Sequence, residues 1–339
     1  MLSQANFVEF LKQKYQTNLI YFDDFMNESL YSEFGFFTKE KIRSEKSGDF
    51  LTSPEVSKYF GVIIGNWIKD QNFKTNICEL GSGTGSLLDQ LKYEKLISIE
   101  RSLTARNELN KKGYKTFEEI NEIQEEKVDL FFGNEILDNI PCSIGIFKEE
   151  KWFEKAVLIN ESKLSYQLVP IREENLNWIK QNEINESEDF EVEIQTRLDH
   201  FLFNCLDKFE PRNFLFFDYG FQNHERPMRK YKSLVRTYKD HHLSVNPLDN
   251  PSNTDITYDI NFSAVKNLFE RNGYKVSLKT QREFLFENGY EQIFNKAMLE
   301  YSQLEGVEQL ILNSEIVGLK AVANDNGLGG FYCIEAEKL

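Results

Sequence analysis

A glycine-rich turn near residue 80 constrains this chain more than any other feature. Residues 79–85 read ELGSGTG, and they lie between a short apolar strand predicted at 76–80 and a helix predicted to begin at 87–91. At a strand–turn–helix junction of this kind, backbone N–H groups can meet a bound ligand. The sequence therefore predicts a ligand site at this turn.

Two common nucleotide-binding loops fit the turn less well. The dinucleotide fingerprint G-x-G-x-x-G would need its third glycine at position 86, where the chain has Ser86. A Walker A loop would need a lysine and a hydroxyl residue after its last glycine, and no lysine follows Gly85. A dinucleotide site and a glycine turn without a ligand stay open as alternatives.

Two glutamates near the turn favour S-adenosylmethionine instead. Glu79 would repel a pyrophosphate, but it can accept hydrogen bonds from the ammonium group on the methionine part of this ligand. Glu100 ends the next predicted strand, where a carboxylate can accept hydrogen bonds from both ribose hydroxyls. From the turn and these acids we predict the following cofactor-binding residues: Glu79, Gly81, Ser82, Gly83, Gly85 and Glu100.

The strand pattern predicts an α/β fold. Segments 76–80, 96–100, 128–132 and 213–218 are short apolar strands, and helical segments separate them. Such strands are typical of a parallel sheet that is covered on both faces. We expect this sheet to carry an N-terminal helical cap and a long mid-chain insertion.

The remaining segments predict the surroundings of that sheet. We expect a helix over 6–26, a helix from Ser53 as N-cap to Trp67, a hairpin over 152–170, an irregular stretch over 219–257, helices at 262–271 and 291–306, and a strand at 331–337. We predict two domains: a helical lid region at 1–74, and an α/β domain at 75–339 with an insertion around 150–210 and an irregular substrate region at 219–260.

Composition argues against several classes of partner. Forty Lys and Arg face 55 Asp and Glu, a net charge of −15, so neither nucleic acid nor an anionic membrane would be held by bulk charge. No apolar run approaches the ~20 residues of a spanning helix, and no leader is visible, so we expect a cytoplasmic chain without membrane insertion. The four cysteines form no C-x-x-C pair, which predicts buried reduced thiols and no metal site.

Several separated motifs resemble the MidA-like family of class I methyltransferases. Residues 48–55 read GDFLTSPE, close to that family's signature, and residues 134–141 read NEILDNIP, which resembles its Asn-Glu-Phe-x-Asp-x-x-Pro element. DYG at 218–220, RTY at 236–238 and DIT at 255–257 continue the likeness in order. SLV at 233–235 departs from the family's usual Gly-Thr-Leu, which leaves the particular substrate in doubt.

The resemblance implies a Rossmann-like class I methyltransferase sheet, S-adenosylmethionine as cofactor, and a protein arginine as acceptor, such as one in a respiratory-complex subunit. An arginine with a pKa above ~12 stays cationic, so a carboxylate must orient it and assist proton loss. We predict that Glu135 and Asp138 face the acceptor, with Asn134 positioning cofactor or acceptor. For Asp138, a helix-cap or loop hydrogen bond is the alternative.

The resemblance also extends the candidate site beyond the glycine turn. The segment around Phe50 could fold over the cofactor as a lid, although it could instead only begin a helix. We predict cofactor contacts from Gly48, Asp49, Phe50, Thr52 and Ser53. We predict substrate binding by Arg236, Tyr238 and Asp255, with surface pairing as the alternative. His241 and His242 are interpreted as loop residues.

Two functional hypotheses of different classes follow. The first is an active methyltransferase whose partner is a protein segment containing arginine. The second is an assembly chaperone that binds a client and has little or no transferase activity, and a small-molecule methyltransferase is a third option. The intact glycine turn with Glu79 and Glu100 favours an enzyme. An oligomer is possible in either case.

Overall fold

The computed structural model describes residues 4–38, 51–124, 126–161, 163–229, 233–239, 242–244 and 246–339. The helices are α1 Gln4–Tyr15, α2 Phe22–Tyr31, α3 Ser53–Val56, α4 Lys58–Gln71, α5 Leu103–Lys111, α6 Glu173–Gln181, α7 Thr196–Phe209, α8 Phe262–Arg271, α9 Gln281–Glu287, α10 Tyr290–Tyr301 and α11 Gly306–Val322. The strands are β1 Leu19–Tyr21, β2 Asn76–Leu80, β3 Leu96–Ile99, β4 Lys115–Phe117, β5 Val128–Asn134, β6 Ser143–Lys148, β7 Lys151–Asn160, β8 Lys163–Pro170, β9 Glu191–Ile194, β10 Asn213–Asp218, β11 Gly220–Phe221, β12 Val235–Lys239, β13 His242–Ser244, β14 Asp255–Tyr258, β15 Ile260–Asn261, β16 Tyr274–Thr280 and β17 Tyr332–Lys338.

Contacts divide the chain into two compact units, each built from separate stretches of sequence. The first unit comprises Met1–Lys41, Leu137–Asn204 and Gly220–Arg271, and the second comprises Ile42–Ile136, Cys205–Tyr219 and Asn272–Leu339. The predicted domain boundary at residue 75 does not coincide with a boundary between these units, and the predicted division stays a prediction.

The second unit contains the predicted α/β sheet. Within the described residues, the strand order is β16-β17-β10-β5-β2-β3-β4. The five strands β10, β5, β2, β3 and β4 are parallel, whereas β17 runs antiparallel to both of its neighbours. This is the sheet of a class I methyltransferase, so the predicted fold class is confirmed. The carboxyl ends of the parallel strands meet at one edge, where ligands bind in such folds.

Aromatic packing fixes helices against this sheet. Every residue of β10 is buried, as its continuous apolar sequence predicts. The ring of Phe217 lies edge-on to Phe60 of α4 at 5.2 Å between centroids, and to Phe284 of α9 at 5.0 Å. Such edge-to-face pairs add about 0.5–1.5 kcal/mol each to the burial of their surface. Both helices therefore cover the same strand.

Three predictions about helices are corrected in this unit. The expected continuous helix from Ser53 to Trp67 is split, because Ser57 has an extended backbone and caps α4. The N-cap of α3 is Thr52 and not Ser53: the Thr52 N–H donates to Glu55 Oε2 at 3.0 Å. The helix expected from residue 87 is only a 3-10 turn at Leu88–Gln90.

The first unit is built on an antiparallel sheet. The long strand β7 pairs with β8, β6 and β1, and β6 also pairs with β9. The predicted hairpin over 152–170 is confirmed as β7 and β8. The expected helix over 6–26 is wrong, because β1 interrupts it to pair with β7. The stretch 219–257, expected to be irregular, also contains strands, with β12 between β13 and β14.

A network of buried charges joins distant parts of the first unit. Arg172 donates from Nη2 to Asp23 Oδ1 at 2.8 Å and from Nε to Glu154 Oε1 at 2.9 Å. Arg197 donates from Nε to the other oxygen of Asp23 at 2.7 Å. Both carboxylates are buried, so their charges depend on these arginines.

Replacing Arg172 with methionine is expected to destabilise this unit by about 3–5 kcal/mol, because it leaves Glu154 and Asp23 poorly compensated in the interior. Urea unfolding followed by tyrosine and tryptophan fluorescence measures the loss. The control is Lys266→Met, which removes only the half-exposed ion pair with Glu270 and should cost at most ~0.5 kcal/mol. Equal effects of the two substitutions would show that the Arg172 network does not stabilise the unit.

Two further expectations concern the whole chain. All four cysteines are buried and free, as expected for reduced thiols. A search of the described helices finds none with the length and apolar character that crossing a lipid bilayer requires.

Candidate functional site

The glycine turn follows the carboxyl end of β2, and its backbone conformation requires glycine. Gly81, Gly83 and Gly85 have φ values of +68°, +52° and +87°, where side chains are strained. A Cβ on Gly81 would also lie 2.6 Å from Cδ1 of Ile136, and one on Gly85 would lie 2.8 Å from Cδ2 of Leu109. Gly81 and Gly85 therefore bring the backbone closer to its neighbours than any other residue could, whereas Gly83 is required only by its φ value.

Glu79 places an isolated carboxyl group beneath this turn. Its side chain is buried, and Oε2 has no hydrogen-bond partner among the described residues. Burial raises the pKa of Glu79 to about 8; a hydrogen bond from Ser82 opposes the rise, and the charges of Glu100 and Asp89 add to it. Ionised Glu79 is thus costly until a cation approaches it.

Glu100 follows β3 and holds the turn from the other side. Its Oε2 accepts a hydrogen bond from the Gly83 N–H at 2.8 Å, and its Oε1 accepts one from the Ser102 N–H at 2.7 Å. Burial raises the pKa of Glu100, although these backbone hydrogen bonds and the charge of Arg106 oppose the rise. Each carboxylate oxygen keeps a second lone pair that can accept from a ligand hydroxyl.

The Ser82 side chain serves the turn itself. It is buried, and its hydroxyl accepts a hydrogen bond from Ser98 Oγ at 2.8 Å. The same hydroxyl donates to the Glu79 carbonyl oxygen at 3.3 Å. These bonds tie the turn to β3. The Ser82 N–H also donates to the Ile99 carbonyl oxygen at 3.4 Å, and a contact of Ser82 with the cofactor stays a prediction.

The N-terminal part of the predicted cofactor site is described only in part. Gly48, Asp49 and Phe50 lie outside the described residues. Thr52 is occupied by its capping interaction with Glu55, and the buried Ser53 hydroxyl donates to Gln281 Oε1 at 3.2 Å. Both side chains thus have structural partners, and their cofactor contacts stay a prediction.

Asn134 and Glu135 end β5 at the same edge of the sheet as the glycine turn. Asn134 donates from Nδ2 to Glu135 Oε1 at 2.9 Å, while its buried Oδ1 has no partner among the described residues. Glu135 has a φ of +53°, and its N–H donates to the Phe217 carbonyl oxygen at 2.8 Å. A non-glycine residue in this left-handed conformation is costly, and such positions concentrate at functional sites. Ile136, the next residue, lies against Gly81.

Asp138 belongs to the first unit, where a 3-10 turn at Leu137–Asn139 holds it in a buried position. Asn139 anchors this turn: its Nδ2 donates to Asp255 Oδ1 at 2.9 Å, and its carbonyl oxygen accepts from the Tyr31 hydroxyl at 3.1 Å. Sequence analysis singled out Asp138 and Asp255 but missed Asn139. Nothing in the local sequence distinguishes Asn139, because its partners are more than a hundred residues away in the chain.

The structure brings two of the three predicted substrate residues together. Tyr238 of β12 and Asp255 of β14 are directly opposed in the antiparallel pair. Arg236 forms an ion pair with the buried Asp259. Arg236 is therefore paired, although its partner lies in the interior and not on the surface as the alternative expected, and its contact with a substrate stays a prediction. His241 lies outside the described residues.

The second unit fits S-adenosylmethionine. The orphaned oxygen of buried Glu79 suits the ligand's ammonium group, the oxygens of Glu100 suit ribose hydroxyls, and the glycine turn lets the ligand approach the backbone. Together with the strand order, these features define the class I methyltransferases.

Comparison with known proteins identifies the family within this class. Residues 61–279 match the model of a family described as "Putative S-adenosyl-L-methionine-dependent methyltransferase". The match covers more than half of the chain, so the chain belongs to this family of S-adenosylmethionine-dependent enzymes. This confirms the family resemblance, the cofactor and the methyltransferase class expected from the sequence.

Two relatives extend the comparison. The "Protein arginine methyltransferase NDUFAF7 homolog, mitochondrial" of Caenorhabditis elegans is 25% identical in an alignment of 326 positions. The alignment covers 83% of this chain and 75% of the relative. A COG1565 superfamily protein from Burkholderia thailandensis, crystallised with S-adenosyl-homocysteine, superposes with a TM-score of 0.84 at 19% identity. That alignment covers 99% of this chain and 92% of the bacterial one, so the two share their fold.

The raised pKa of Glu79 leads to a pH-dependent affinity. Since Glu79 is mostly neutral below about pH 8 in the free protein, a ligand ammonium must displace its proton there. We expect S-adenosylhomocysteine to bind up to ~10-fold more tightly per pH unit between pH 6 and 8, and to release up to one proton at pH 6.5. Calorimetry in buffers of different ionisation enthalpy measures both quantities.

Two variants locate the effect. Glu79→Gln should weaken binding and remove the proton release, whereas Asp89→Asn, which removes only a smaller contribution to the shift, should retain most of it. Proton release that persists in Glu79→Gln would assign the titration to another group.

Proposed function

We propose that this methyltransferase acts on an arginine side chain of a protein. The observation that carries the proposal is Glu135, an acceptor-type carboxylate held in a strained backbone conformation at the end of β5, one residue before Ile136 and the contact with the glycine turn. The name of the nematode relative, a protein arginine methyltransferase, supports the same acceptor.

The chemistry explains why a carboxylate is needed. A guanidinium with a pKa above ~12 is cationic and a poor nucleophile. Glu135 accepts hydrogen bonds from two of its nitrogens, which orients the third, and it receives the proton that the methylated nitrogen loses. Asn134 Nδ2 already donates to Glu135 Oε1 and thereby fixes the orientation of the carboxylate.

The cofactor is assigned to the neighbouring residues. When bound, S-adenosylmethionine supplies an electrophilic methyl group on a positively charged sulfur. Glu79 would pair with the ammonium group of the ligand, Glu100 would accept hydrogen bonds from its ribose, and Gly81, Gly83 and Gly85 would contribute backbone contacts. The main work of the protein is to align acceptor and donor and to exclude water.

The family resemblance assigns the other predicted residues to this scheme. Asp138, three residues after Glu135 in the sequence, is the second acceptor-facing carboxylate. Tyr238 and Asp255, opposed on β12 and β14, bind the substrate segment, with Arg236 oriented by its ion pair with Asp259. The predicted cofactor contacts of Gly48, Asp49 and Phe50, which lie outside the described residues, and those of Thr52 and Ser53 remain part of this proposal.

The residue type that accepts the methyl group tests the proposal. Purified protein is incubated with tritiated S-adenosylmethionine and a bacterial lysate freed of small molecules, and the labelled proteins are digested and sequenced by mass spectrometry. We expect label on arginine, and none above background with Glu135→Gln. Label on lysine or histidine would overturn the arginine assignment, and no transfer despite tight cofactor binding would favour the client-binding chaperone.

The place of action is a separate proposal. We propose that the protein acts in the cytoplasm, as the sequence predicts, and that its partner is a protein and not a nucleic acid. The nematode relative is named as a mitochondrial protein. Fractionation of cells that express the tagged chain tests this location.

A further inference from the structure

The amide of Asn134, at the carboxyl end of β5, has a partner at one end only. Its Nδ2 donates to Glu135 Oε1 at 2.9 Å, whereas its Oδ1 is buried and has no hydrogen-bond partner among the described residues. An ionised carboxylate only accepts hydrogen bonds, so the end of the amide that faces Glu135 is the NH₂ group. The oxygen is therefore directed away from Glu135. Leaving a buried carbonyl oxygen without a donor costs free energy, which a ligand with N–H groups can restore.

Asn134 projects from the same face of the sheet as Glu79. Strands β2 and β5 are parallel neighbours, and Glu79 is paired with Phe132, two residues before Asn134. Side chains two residues apart on a strand share a face. Phe217 of β10, which is paired with Asn134 on the other side of β5, lies on this face as well. Glu79 and Asn134 therefore occupy one face of the sheet on adjacent strands, next to the glycine turn.

These two side chains offer acceptors to the same kind of group. Glu79 Oε2, like Asn134 Oδ1, is a buried oxygen with no hydrogen-bond partner in the part of the chain that the structure describes. An ammonium group has three N–H donors and no acceptor, so it can donate to several such oxygens at once. A ligand carboxylate has no donor to offer them. The pair therefore favours the ammonium group of the methionine part of the cofactor.

We infer that Asn134 accepts a hydrogen bond from the ammonium group of S-adenosylmethionine through Oδ1 while it holds the Glu135 carboxylate through Nδ2. One amide then positions both the cofactor and the carboxylate that faces the acceptor. The contact with the cofactor does not depend on the nature of the acceptor. Only the role given to Glu135 rests on the arginine acceptor proposed above.

Calorimetry with two cofactor derivatives tests the ammonium contact. S-adenosylhomocysteine carries the ammonium group, whereas methylthioadenosine lacks the whole amino-acid part. Asn134→Leu keeps nearly the size of the side chain but removes its acceptor. We expect this variant to bind S-adenosylhomocysteine at least ~10-fold more weakly and methylthioadenosine within about twofold of wild type. Retained binding of methylthioadenosine also shows that the variant is folded.

Asn213→Leu is the matched control. Asn213 begins β10, is fully buried, and also has a side-chain oxygen without a partner among the described residues. Because it lies at the amino end of its strand, at the opposite edge of the sheet, the substitution should change neither affinity.

Two results would overturn the ammonium contact. If Asn134→Leu weakened S-adenosylhomocysteine and methylthioadenosine equally, Asn134 would support the fold of the site and not bind the ammonium group. If it weakened S-adenosylmethionine and left S-adenosylhomocysteine unchanged, Oδ1 would face the sulfonium instead.

A double-mutant cycle tests the link to Glu135. At saturating S-adenosylmethionine, we expect Asn134→Leu to lower total methyl transfer to lysate proteins by at least ~10-fold. In a Glu135→Gln background it should lower transfer by no more than about twofold, because Asn134 acts on the transfer step through Glu135. An undiminished rate, or losses that simply multiply, would overturn this link. The arginine proposal is judged separately, by the type of residue that carries the label.

Discussion

Glu135→Gln is expected to lower kcat by at least ~10³-fold while the affinity for S-adenosylhomocysteine stays within about threefold of wild type. The amide keeps the size of the side chain and can still accept one hydrogen bond, but it can neither balance the charge of a guanidinium nor receive its proton. Initial rates with an unmethylated acceptor protein measure kcat, and calorimetry with S-adenosylhomocysteine measures the affinity separately.

Glu183→Gln is a matched control for this substitution. Glu183 also has a left-handed backbone, with a φ of 52°, but its side chain is exposed in a loop before β9. It should change neither quantity. If Glu135→Gln kept more than a tenth of the wild-type rate, Glu135 would have no role in the transfer step. If cofactor affinity fell together with the rate, Glu135 would instead support the glycine turn.

Glu100→Ala is expected to weaken binding of S-adenosylhomocysteine by ~10²–10³-fold. The substitution removes the proposed acceptors for the ribose hydroxyls. It also removes the carboxylate that accepts a hydrogen bond from the Gly83 N–H, so the glycine turn is less firmly held. Glu100→Gln keeps one oxygen and should lose only ~10-fold. Calorimetric titration at pH 8, where about half of Glu79 is ionised in the free protein, compares the wild-type protein with both variants.

The control for Glu100→Ala lies nearby on the surface. Glu118 is exposed and pairs with Arg106, whose charge also acts on Glu100. Glu118→Ala should therefore leave cofactor affinity within about twofold. If Glu100→Ala binds as tightly as Glu118→Ala, the ribose assignment fails, although membership of the methyltransferase family does not depend on it.

The sequence alone determined the sheet and its glycine turn. Strands β2, β5 and β10 are short and apolar on both faces, which identifies them as buried parallel strands without knowledge of their partners. The turn depends on three glycines within five residues and on an acid at each of two neighbouring strand ends. All of this information lies within short segments of the chain, so it can be read from a single sequence.

Local patterns failed where a distant partner decides the conformation. Leu19–Tyr21 continues the helical periodicity of the first segment, but pairing with β7 makes it a strand. Ser57 interrupts a helix with good apolar spacing, and the α11 backbone approaches there: a Cβ on Gly318 would lie 2.4 Å from the Val56 carbonyl oxygen. Neither contact can be read from the segment itself.

The tertiary structure also decided which polar residues of the first unit pair with one another. Asn139 bonds to Asp255, Arg172 joins Asp23 to Glu154, and Arg236 pairs with buried Asp259. Each pair unites residues far apart in the chain, at positions where exposed and buried polar side chains look alike in the sequence. The sequence by itself therefore determined the class of enzyme and the cofactor turn, whereas the tertiary structure decided the long-range pairs, because hydrogen bonds and charges act through space and not along the chain.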